Sequence, residues 1–265
     1  MSRRIITLLT DFGMADPYVA AMKGAALAVN PDAQLVDISH EIAPQDIADA
    51  GYVLAFSYRY FPVGTVHAAV VDPGVGGERR ILAAEVEGHL LIAPDNGLLS
   101  AVLLERPASR LVHVEKSAFF RHPVSATFHG RDIFAPVAAH LSLGVDLDQM
   151  GPRTTRYVQL EAASARTVGD ALDGRVIHVD RFGNLVTNIS SEQIAAMEGT
   201  GWPHVRVGEA HIGPVRRTYA EAAIGEPLAV IGSSELLEIS VNCGSAAGQL
   251  GVGRGTPVRV ARSRQ

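Results

Sequence analysis

The sequence contains a single cysteine, Cys243, among 265 residues. One cysteine excludes an internal disulfide and leaves no zinc cluster built from several thiolates. Because chains without disulfides are typical of reducing compartments, we predict that the protein works in the cytoplasm. No apolar stretch approaches the roughly 20 residues that cross a bilayer, so no membrane association is predicted. The apolar run 5–9 after two arginines is too short for the core of an export signal.

A surplus of basic residues is also lacking, since the formal net charge is −5. A general nucleic-acid binder carries excess positive charge to neutralise phosphates, so no nucleic-acid partner is predicted. The glycine-rich segment 74–77 lacks the Lys-Ser/Thr pair of a phosphate-binding loop. The composition, 47% hydrophobic and 19% charged, is that of an ordinary globular protein and excludes a disordered chain.

The first half of the chain alternates between short apolar runs and segments with helical spacing. Strands are predicted over 5–9, 34–38, 65–71, 80–87 and 90–93, and helices over 18–29, 47–58, 98–104 and 132–143. This alternation predicts a layered α/β domain with a mostly parallel sheet over residues 1–152.

After residue 152 the pattern changes. Residues 153–173 are mixed and are interpreted as a linker. The remainder, 174–265, is rich in short strands separated by glycines and turn residues, which predicts a smaller C-terminal β-barrel-like domain. Its strands are predicted over 175–179, 185–189, 205–207, 229–231, 236–241 and 257–260.

Polar residues gather where the predicted strands of the first domain end, and the carboxyl ends of parallel strands form the ligand crevice of α/β sheets. Asp11 and Asp16 flank a turn that opens a helix, where a carboxylate can accept both hydroxyls of a ribose; Asp16 has the alternative role of helix cap. Asp72 ends a strand and leads through glycines to Arg79 and Arg80, which are alternatively a solvated pair in a turn.

Two further clusters offer polar groups to a ligand. His129 precedes a predicted helix, and its alternative is a structural or solvated histidine. Phe182 and Asn184 offer an aromatic face and an amide that suit a purine, or else form a hairpin turn.

Six strings in this order resemble one family, the S-adenosylmethionine (SAM) hydroxide adenosyltransferases, which are related to SAM-dependent chlorinases and fluorinases. The strings are Thr10-Asp11-Phe12-Gly13 with Asp16, Val71-Asp72-Pro73-Gly74-Val75-Gly76 with Arg79, APDNGLL at 93–99, Phe128-His129-Gly130-Arg131-Asp132, FGNLVTN at 182–188 and SSELLEISVN at 233–242. They extend nearly from one end of the chain to the other.

The resemblance implies an N-terminal α/β domain and a C-terminal β-barrel-like domain. It implies a homotrimer in which SAM lies between one subunit's N-terminal domain and its neighbour's C-terminal domain. The implied reaction is hydrolysis of SAM to adenosine and L-methionine, with SAM as substrate and neither cofactor nor metal.

The resemblance also implies roles for individual residues. The family's catalytic Asp-Arg-His set falls on Asp72, Arg79 and His129, and spacing alone favours Arg79 over Arg80. Substrate-binding roles fall on Asp11 (ribose), Asp16 (methionine), Phe182 and Asn184 (adenine), Ser233 and Ser234 (methionine carboxylate) and the backbone near Cys243. The halogenating relatives have an aromatic residue where Gln45 stands.

Chemistry supports these assignments, because attack at the ribose C5′ expels a neutral thioether and needs no acid at the leaving group. The nucleophile must instead be positioned and desolvated. We predict water as nucleophile rather than chloride or fluoride, since Asp72 would repel an anion. Two alternatives remain, namely a metal-dependent hydrolase with Asp11, Asp72, His129 and Asp132 as ligands, and a nucleoside-binding module without catalysis.

Overall fold

The computed structural model describes residues 5–160, 165–197 and 203–262. The chain divides into two compact units, Met1–Leu160 and Glu161–Gln265. In the described parts of the chain, no helix combines the length and the apolar composition that crossing a bilayer requires.

The first unit is a three-layered α/β structure. Its elements are β1 (Ile5–Thr10), α1 (Tyr18–Val29), β2 (Gln34–Ser39), α2 (Ile47–Ser57), β3 (Val66–Val70), β4 (Ile81–Val86), β5 (His89–Pro94), α3 (Ser100–Glu105), β6 (Arg110–His113) and α4 (Ala135–Ser142). A π-helical turn, Gly130–Phe134, leads directly into α4.

The six strands form one sheet in the order β2-β1-β3-β5-β4-β6. The first four of these are parallel, and β4 is antiparallel to both of its neighbours. Helices α1 and α4 cover one face around Met22 and Phe134, and α2 and α3 cover the other around Leu54 and Val102. Burial on both faces explains why these strands are continuous apolar runs in the sequence. The predicted mostly parallel sheet is confirmed.

The second unit is a closed barrel. Its elements are β7 (Arg166–Val168), β8 (Ala171–Val179), β9 (Leu185–Ser190), α5 (Ser191–Ala195), β10 (Pro203–Val207), β11 (Ala210–Arg216), β12 (Pro227–Ile231), β13 (Leu236–Val241), α6 (Ala246–Leu250) and β14 (Pro257–Arg262). The ring β8-β14-β10-β11-β12-β13-β9 closes because β14 and β9 both pair with β8, and β7 adds to β8 outside the ring. The predicted barrel-like domain is confirmed.

Three strands are absent from the sequence-based prediction, for physical reasons. Strand β11 contains Gly213 and Pro214, two residue types that are depleted in strands. Strand β6 has only four residues, and β7 is exposed along its length, so neither shows a clear apolar pattern. β7 and the first residues of β8 lie within the segment 153–173. The helix predicted over 132–143 begins instead as the π-helical turn.

Candidate active site

The parallel strands of the first unit bring three aspartates to one edge of the sheet. Asp11 follows β1 directly, Asp72 lies two residues beyond β3, and Asp95 follows β5. The chain leaves β1 toward β2 on one side and returns to β3 on the other, so the β1/β3 boundary is a topological switch point. Ligands of open α/β sheets bind outside the carboxyl ends of the strands at such points. The sheet order therefore places Asp11 and Asp72 where a ligand is expected.

Arg79 joins Asp72 and His129 through a single guanidinium group. Its Nη2 donates to Asp72 Oδ2 over 2.6 Å and lies 2.7 Å from His129 Nδ1. Its Nε also donates to Asp72, at 2.9 Å from Oδ2 and 3.1 Å from Oδ1. The side chains of Arg79 and Asp72 are only 12% and 5% exposed, so water screens this pair poorly. The three residues selected from sequence thus form one hydrogen-bonded group.

The direction of these hydrogen bonds fixes the tautomer of His129. A guanidinium only donates, so Nδ1 must accept and the ring proton of neutral His129 resides on Nε2. Burial, together with the positive charge of Arg79, lowers the pKa of His129 below its usual value, which favours the neutral ring. With Nδ1 occupied and Nε2 protonated, neutral His129 has a hydrogen-bond donor but no free lone pair, and its ring also hydrogen-bonds the backbone of Ser125.

Arg80 points to a different partner, which distinguishes it from Arg79. Its Nε and Nη2 donate to Asp95 Oδ2 at 2.9 and 2.6 Å, and Nη2 also donates to the carbonyl oxygen of Arg156 at 2.7 Å. Asp95 in turn accepts from the backbone N–H of Val158 at 2.7 Å. Arg80 therefore holds the segment around Arg156 against the sheet, and of these two arginines Arg79 is the one that contacts both Asp72 and His129.

Gly76 lets the Asp72 loop contact the loop that carries His129. Its φ is +77°, and a Cβ there would lie 2.2 Å from the carbonyl oxygen of Ala126. Any other residue would therefore push the two loops apart.

The buried carboxylate of Asp132 stabilises the loop 125–131, which carries His129. Its fully buried carboxylate accepts from Arg131 at 2.7 and 2.8 Å, from Arg121 at 3.1 Å and from the backbone N–H of Ser125 at 2.9 Å. These bonds, with Arg131 the largest contributor, lower the pKa of Asp132 to about 2. Its carboxylate is thus charged at neutral pH, and it joins Arg121, Ser125 and Arg131.

Three aromatic rings connect the His129 loop with the Asp11 loop. Phe12, Tyr18 and Phe128 contact one another with ring centroids 5.3 to 5.9 Å apart, a geometry typical of edge-to-face packing. The loops after β1, after β3 and before α4 therefore form one structure.

The Asp11 carboxylate is held by the loop that follows β2. Its Oδ2 accepts from the backbone N–H of Gln45 at 2.8 Å, and Gln45 has a left-handed φ of +67°. Strained backbone of this kind concentrates at ligand sites. Asp16 is exposed at the start of α1, and the cap position there is Pro17; among the described residues no side chain caps this helix. The capping role considered for Asp16 is therefore wrong.

In the second unit, the turn between β8 and β9 carries Phe182 and Asn184. Asp180 organises this turn, because its carboxylate accepts from the backbone N–H of both residues at 2.9 Å and from Asn184 Nδ2 at 2.8 Å. Phe182 is 76% exposed, which leaves its ring face available for stacking. The segment after β13 lies beside this turn, since Ala247 N–H donates to Gly183 at 2.9 Å, and exposed Cys243 belongs to that segment.

Ser233 and Ser234 occupy the turn between β12 and β13, at the opposite end of β13 from Cys243. β13 is antiparallel to β9, with Leu236 opposite Ser190 and Ile239 opposite Leu185. The two serines are thus separated from Phe182 and Asn184 by the length of a strand. The predicted residues of this unit form two groups, which suit the two ends of an extended ligand and not a single compact one.

The four residues of the metal-site alternative are engaged with cations or backbone. Asp72 is paired with Arg79, Asp132 with Arg121 and Arg131, and Asp11 with a backbone N–H. Among the described residues, no group of three His, Cys, Asp or Glu side chains is arranged to hold a metal ion. The carboxylates of Asp72 and Asp132 are already paired with guanidinium groups, which compete with a cation for the same oxygens, so this set of residues does not fit a metal centre.

Sequence reasoning missed the residues that position the site. From sequence, Asp132 is part of a family string and a metal ligand in one alternative, and the adjacent Arg131 is the local signal for its ion pair. Asp180 was not singled out, although an Asp two residues before Phe182 in a turn is the pattern of a side chain that binds the following backbone N–H groups.

Both units of the chain match known proteins. The SAM hydroxide adenosyltransferase N-terminal domain matches residues 6–151, and the C-terminal domain of the same family matches residues 174–259. An (R)-S-adenosyl-L-methionine hydrolase from Thermus thermophilus is 40% identical over 264 residues, covering 97% of this chain and 99% of the relative.

More distant relatives and a solved structure extend the comparison. A fluorinase from Nocardia brasiliensis is 30% identical over 291 residues, covering 97% of each chain. The crystal structure of an uncharacterized conserved protein from Thermotoga maritima has a TM-score of 0.89 and 35% identity, covering 97% of this chain and all of that one. The chain therefore belongs to the SAM hydroxide adenosyltransferase family.

Proposed function

We propose that this chain hydrolyses S-adenosyl-L-methionine to adenosine and L-methionine. The observation that carries the proposal is the Arg79 guanidinium, which donates both to Asp72 and to neutral His129 at the edge of the sheet beside Asp11. Family membership supplies the substrate, and the relatives' name specifies the R configuration at sulfur. We therefore propose the R epimer as the substrate.

In the proposed reaction, a water oxygen bonds to the ribose C5′ while the C5′–S bond breaks on the opposite side. The bonding electron pair leaves with sulfur, which becomes the neutral thioether of methionine. The water proton passes to Asp72, because His129 Nδ1 accepts from Arg79 and Nε2 carries a hydrogen. Asp72 retains lone pairs on Oδ1, which makes only one contact with Arg79, at 3.1 Å. His129 Nε2–H holds the water oxygen, and the charge of Arg79 stabilises developing hydroxide.

Substrate binding is proposed to be shared between the two units. Asp11 binds the ribose hydroxyls and Asp16 the methionine ammonium in the first unit. Phe182 and Asn184 bind adenine, with the backbone near Cys243, and Ser233 and Ser234 bind the methionine carboxylate. The separation of these last two groups along β13 supports an extended ligand.

We further propose a homotrimer in which one chain's first unit works with a neighbour's second unit. Assembly is tested by mixing a variant lacking Asp72 with a Phe182→Ala variant under conditions that exchange subunits. Sites shared between chains regain activity in the mixture, since some contain both intact halves. Sites confined to one chain stay inactive, and a fully active monomer in sedimentation would refute the trimer.

The proposed reaction uses neither metal nor cofactor, since a sulfonium leaving group needs no Lewis acid to depart. The reducing cytoplasm is proposed from the single cysteine. The test incubates purified protein with the separated R and S epimers after exhaustive chelation and quantifies adenosine and methionine. Equal amounts of both products from the R epimer support the proposal. Binding of the substrate without any product would favour a nucleoside-binding module instead.

A further inference from the structure

His40 lies immediately after β2, at the same edge of the sheet as Asp11, and is 4% exposed. Its Nδ1 is 2.8 Å from the hydroxyl of Thr10, the last residue of β1, which is fully buried. On the other side of the ring, Nε2 lies 3.0 Å from Asp37 Oδ1. The contact that the ring makes with the chain leading to Asp11 is the one to Thr10.

The Thr10 hydroxyl contacts both His40 and the backbone of the loop that carries Asp11. It accepts from the backbone N–H of Phe12 at 3.2 Å, so the hydroxyl hydrogen is free to be donated to His40 Nδ1. The carbonyl oxygen of His40 also accepts from the backbone N–H of Gly13 at 2.8 Å. His40 thus holds the residues on both sides of Asp11, through its ring and through its backbone.

The same loop holds the Asp11 carboxylate itself. Five residues beyond His40, the backbone N–H of Gln45 donates to Asp11 Oδ2 over 2.8 Å. The two loops are consequently fastened at the hydroxyl of Thr10, at the backbone of Gly13 and at the carboxylate of Asp11. A carboxylate must be oriented within narrow limits to bind two adjacent hydroxyls, so this scaffold matters for affinity.

We infer that His40 is a positioning residue for ribose recognition, which orients the Asp11 carboxylate toward the two ribose hydroxyls through Thr10. The inference rests on the ribose-binding role in the proposed function. It does not require turnover, so it can be tested with nucleosides alone.

Two pairs of matched variants distinguish the loss of the hydrogen bond between Thr10 and His40 from a change in side-chain volume. In His40→Asn, the amide oxygen takes the place of Nδ1 and can still accept from Thr10. In His40→Gln, the amide falls at the position of Nε2 and the Thr10 contact is lost. Thr10→Ser keeps the hydroxyl, and Thr10→Val removes it with little change of shape.

The readout is the ratio of the dissociation constants for 2′,3′-dideoxyadenosine and adenosine, measured by calorimetry on each folded variant. A general loss of structure weakens both nucleosides, whereas a misplaced Asp11 weakens adenosine alone. We expect His40→Gln and Thr10→Val each to lower the ratio about tenfold, since charge-assisted bonds to the hydroxyls are lost. His40→Asn and Thr10→Ser should stay near the wild-type ratio, and the double variant His40→Gln/Thr10→Val should be no worse than either single one.

A wild-type ratio in both His40→Gln and Thr10→Val would overturn the inference and leave the proposed function intact. Failure of the wild-type protein to bind either nucleoside would overturn both. Binding that discriminates as expected, in a protein that releases no methionine from SAM, would support the role of His40 and refute hydrolysis.

Discussion

The guanidinium of Arg79 lies 2.7 Å from Nδ1 of His129, so the histidine accepts a hydrogen bond from a cation. This relationship is possible only while the imidazole is neutral. It leaves Nε2–H as the donor of the ring, so His129 has no lone pair for a proton and proton acceptance falls to Asp72. A sequence can suggest that Asp, Arg and His act together, but this geometry is what divides the roles among them.

Activity should therefore persist at acidity where an ordinary histidine is already charged. Burial and Arg79 lower the pKa of His129, so protonation, which breaks the contact with Arg79, occurs below the usual histidine value of 6.5. We expect kcat to fall as the pH decreases through a value lower than 6.5. His129→Asn retains an acceptor for Arg79 but does not titrate, so this part of the pH profile should vanish. An acid limb centred at or above 6.5 in the wild-type protein would contradict the assigned tautomer.

Replacing the two adjacent arginines should have unequal effects. Arg79→Lys keeps a positive charge but cannot contact Asp72 and His129 together, so we expect kcat to fall by roughly 100-fold or more. Arg80→Lys weakens the link between Asp95 and the segment around Arg156 and leaves the contacts of Arg79 with Asp72 and His129 in place. This variant should have a lower thermal unfolding midpoint and a kcat close to that of the wild type. Steady-state kinetics and thermal unfolding of the two variants test this difference. Equal losses of kcat in Arg79→Lys and Arg80→Lys would refute the different roles of the two arginines.

Halide should become a ligand only when Asp72 is removed. In the wild-type protein Asp72 neutralises Arg79, so the pair offers an anion no net positive charge. In Asp72→Ala the guanidinium is uncompensated and attracts chloride. We expect this variant to lose hydrolysis and to bind chloride in competition with substrate. Wild-type protein in concentrated chloride is the control, and formation of 5′-chloro-5′-deoxyadenosine there at a rate rivalling adenosine would contradict water as the nucleophile.

Gly76→Ala should damage the site more than its small size suggests. The new Cβ would meet the Ala126 carbonyl at 2.2 Å in a left-handed conformation, so the Asp72 and His129 loops must separate. We expect kcat to fall by at least about tenfold and the free energy of unfolding to fall by roughly 1–3 kcal/mol. Gly24→Ala in α1 is the matched control. Gly24 is exposed and nothing lies within 4 Å of its Cβ position, so this change should stabilise the protein by up to about 1 kcal/mol. Wild-type turnover in Gly76→Ala would show that the two loops need not touch.

The fold class of each domain could be predicted from the sequence. Strands buried on both faces appear as continuous apolar runs in the first domain, and short strands separated by glycine turns mark the second. The sequence could not separate Arg79 from Arg80, since neighbouring residues at the start of an extended segment face opposite sides and only the fold shows which side holds His129. It also passed over His40, although a histidine two residues beyond the predicted strand 34–38 stands at the expected ligand edge of an α/β sheet. Hydrogen bonds between distant residues, such as Thr10 with His40, leave no local pattern to detect.

Hydrolysis itself is tested most directly by the origin of the oxygen in the product. The purified protein is incubated with the R epimer of SAM in ¹⁸O-labelled water, and adenosine and methionine are analysed by mass spectrometry. We expect one ¹⁸O atom in the 5′-hydroxyl of adenosine, an equal amount of unlabelled methionine, and loss of both products in the Asp72→Ala variant. Absence of adenosine, or adenosine without the label, would contradict attack of an activated water at C5′.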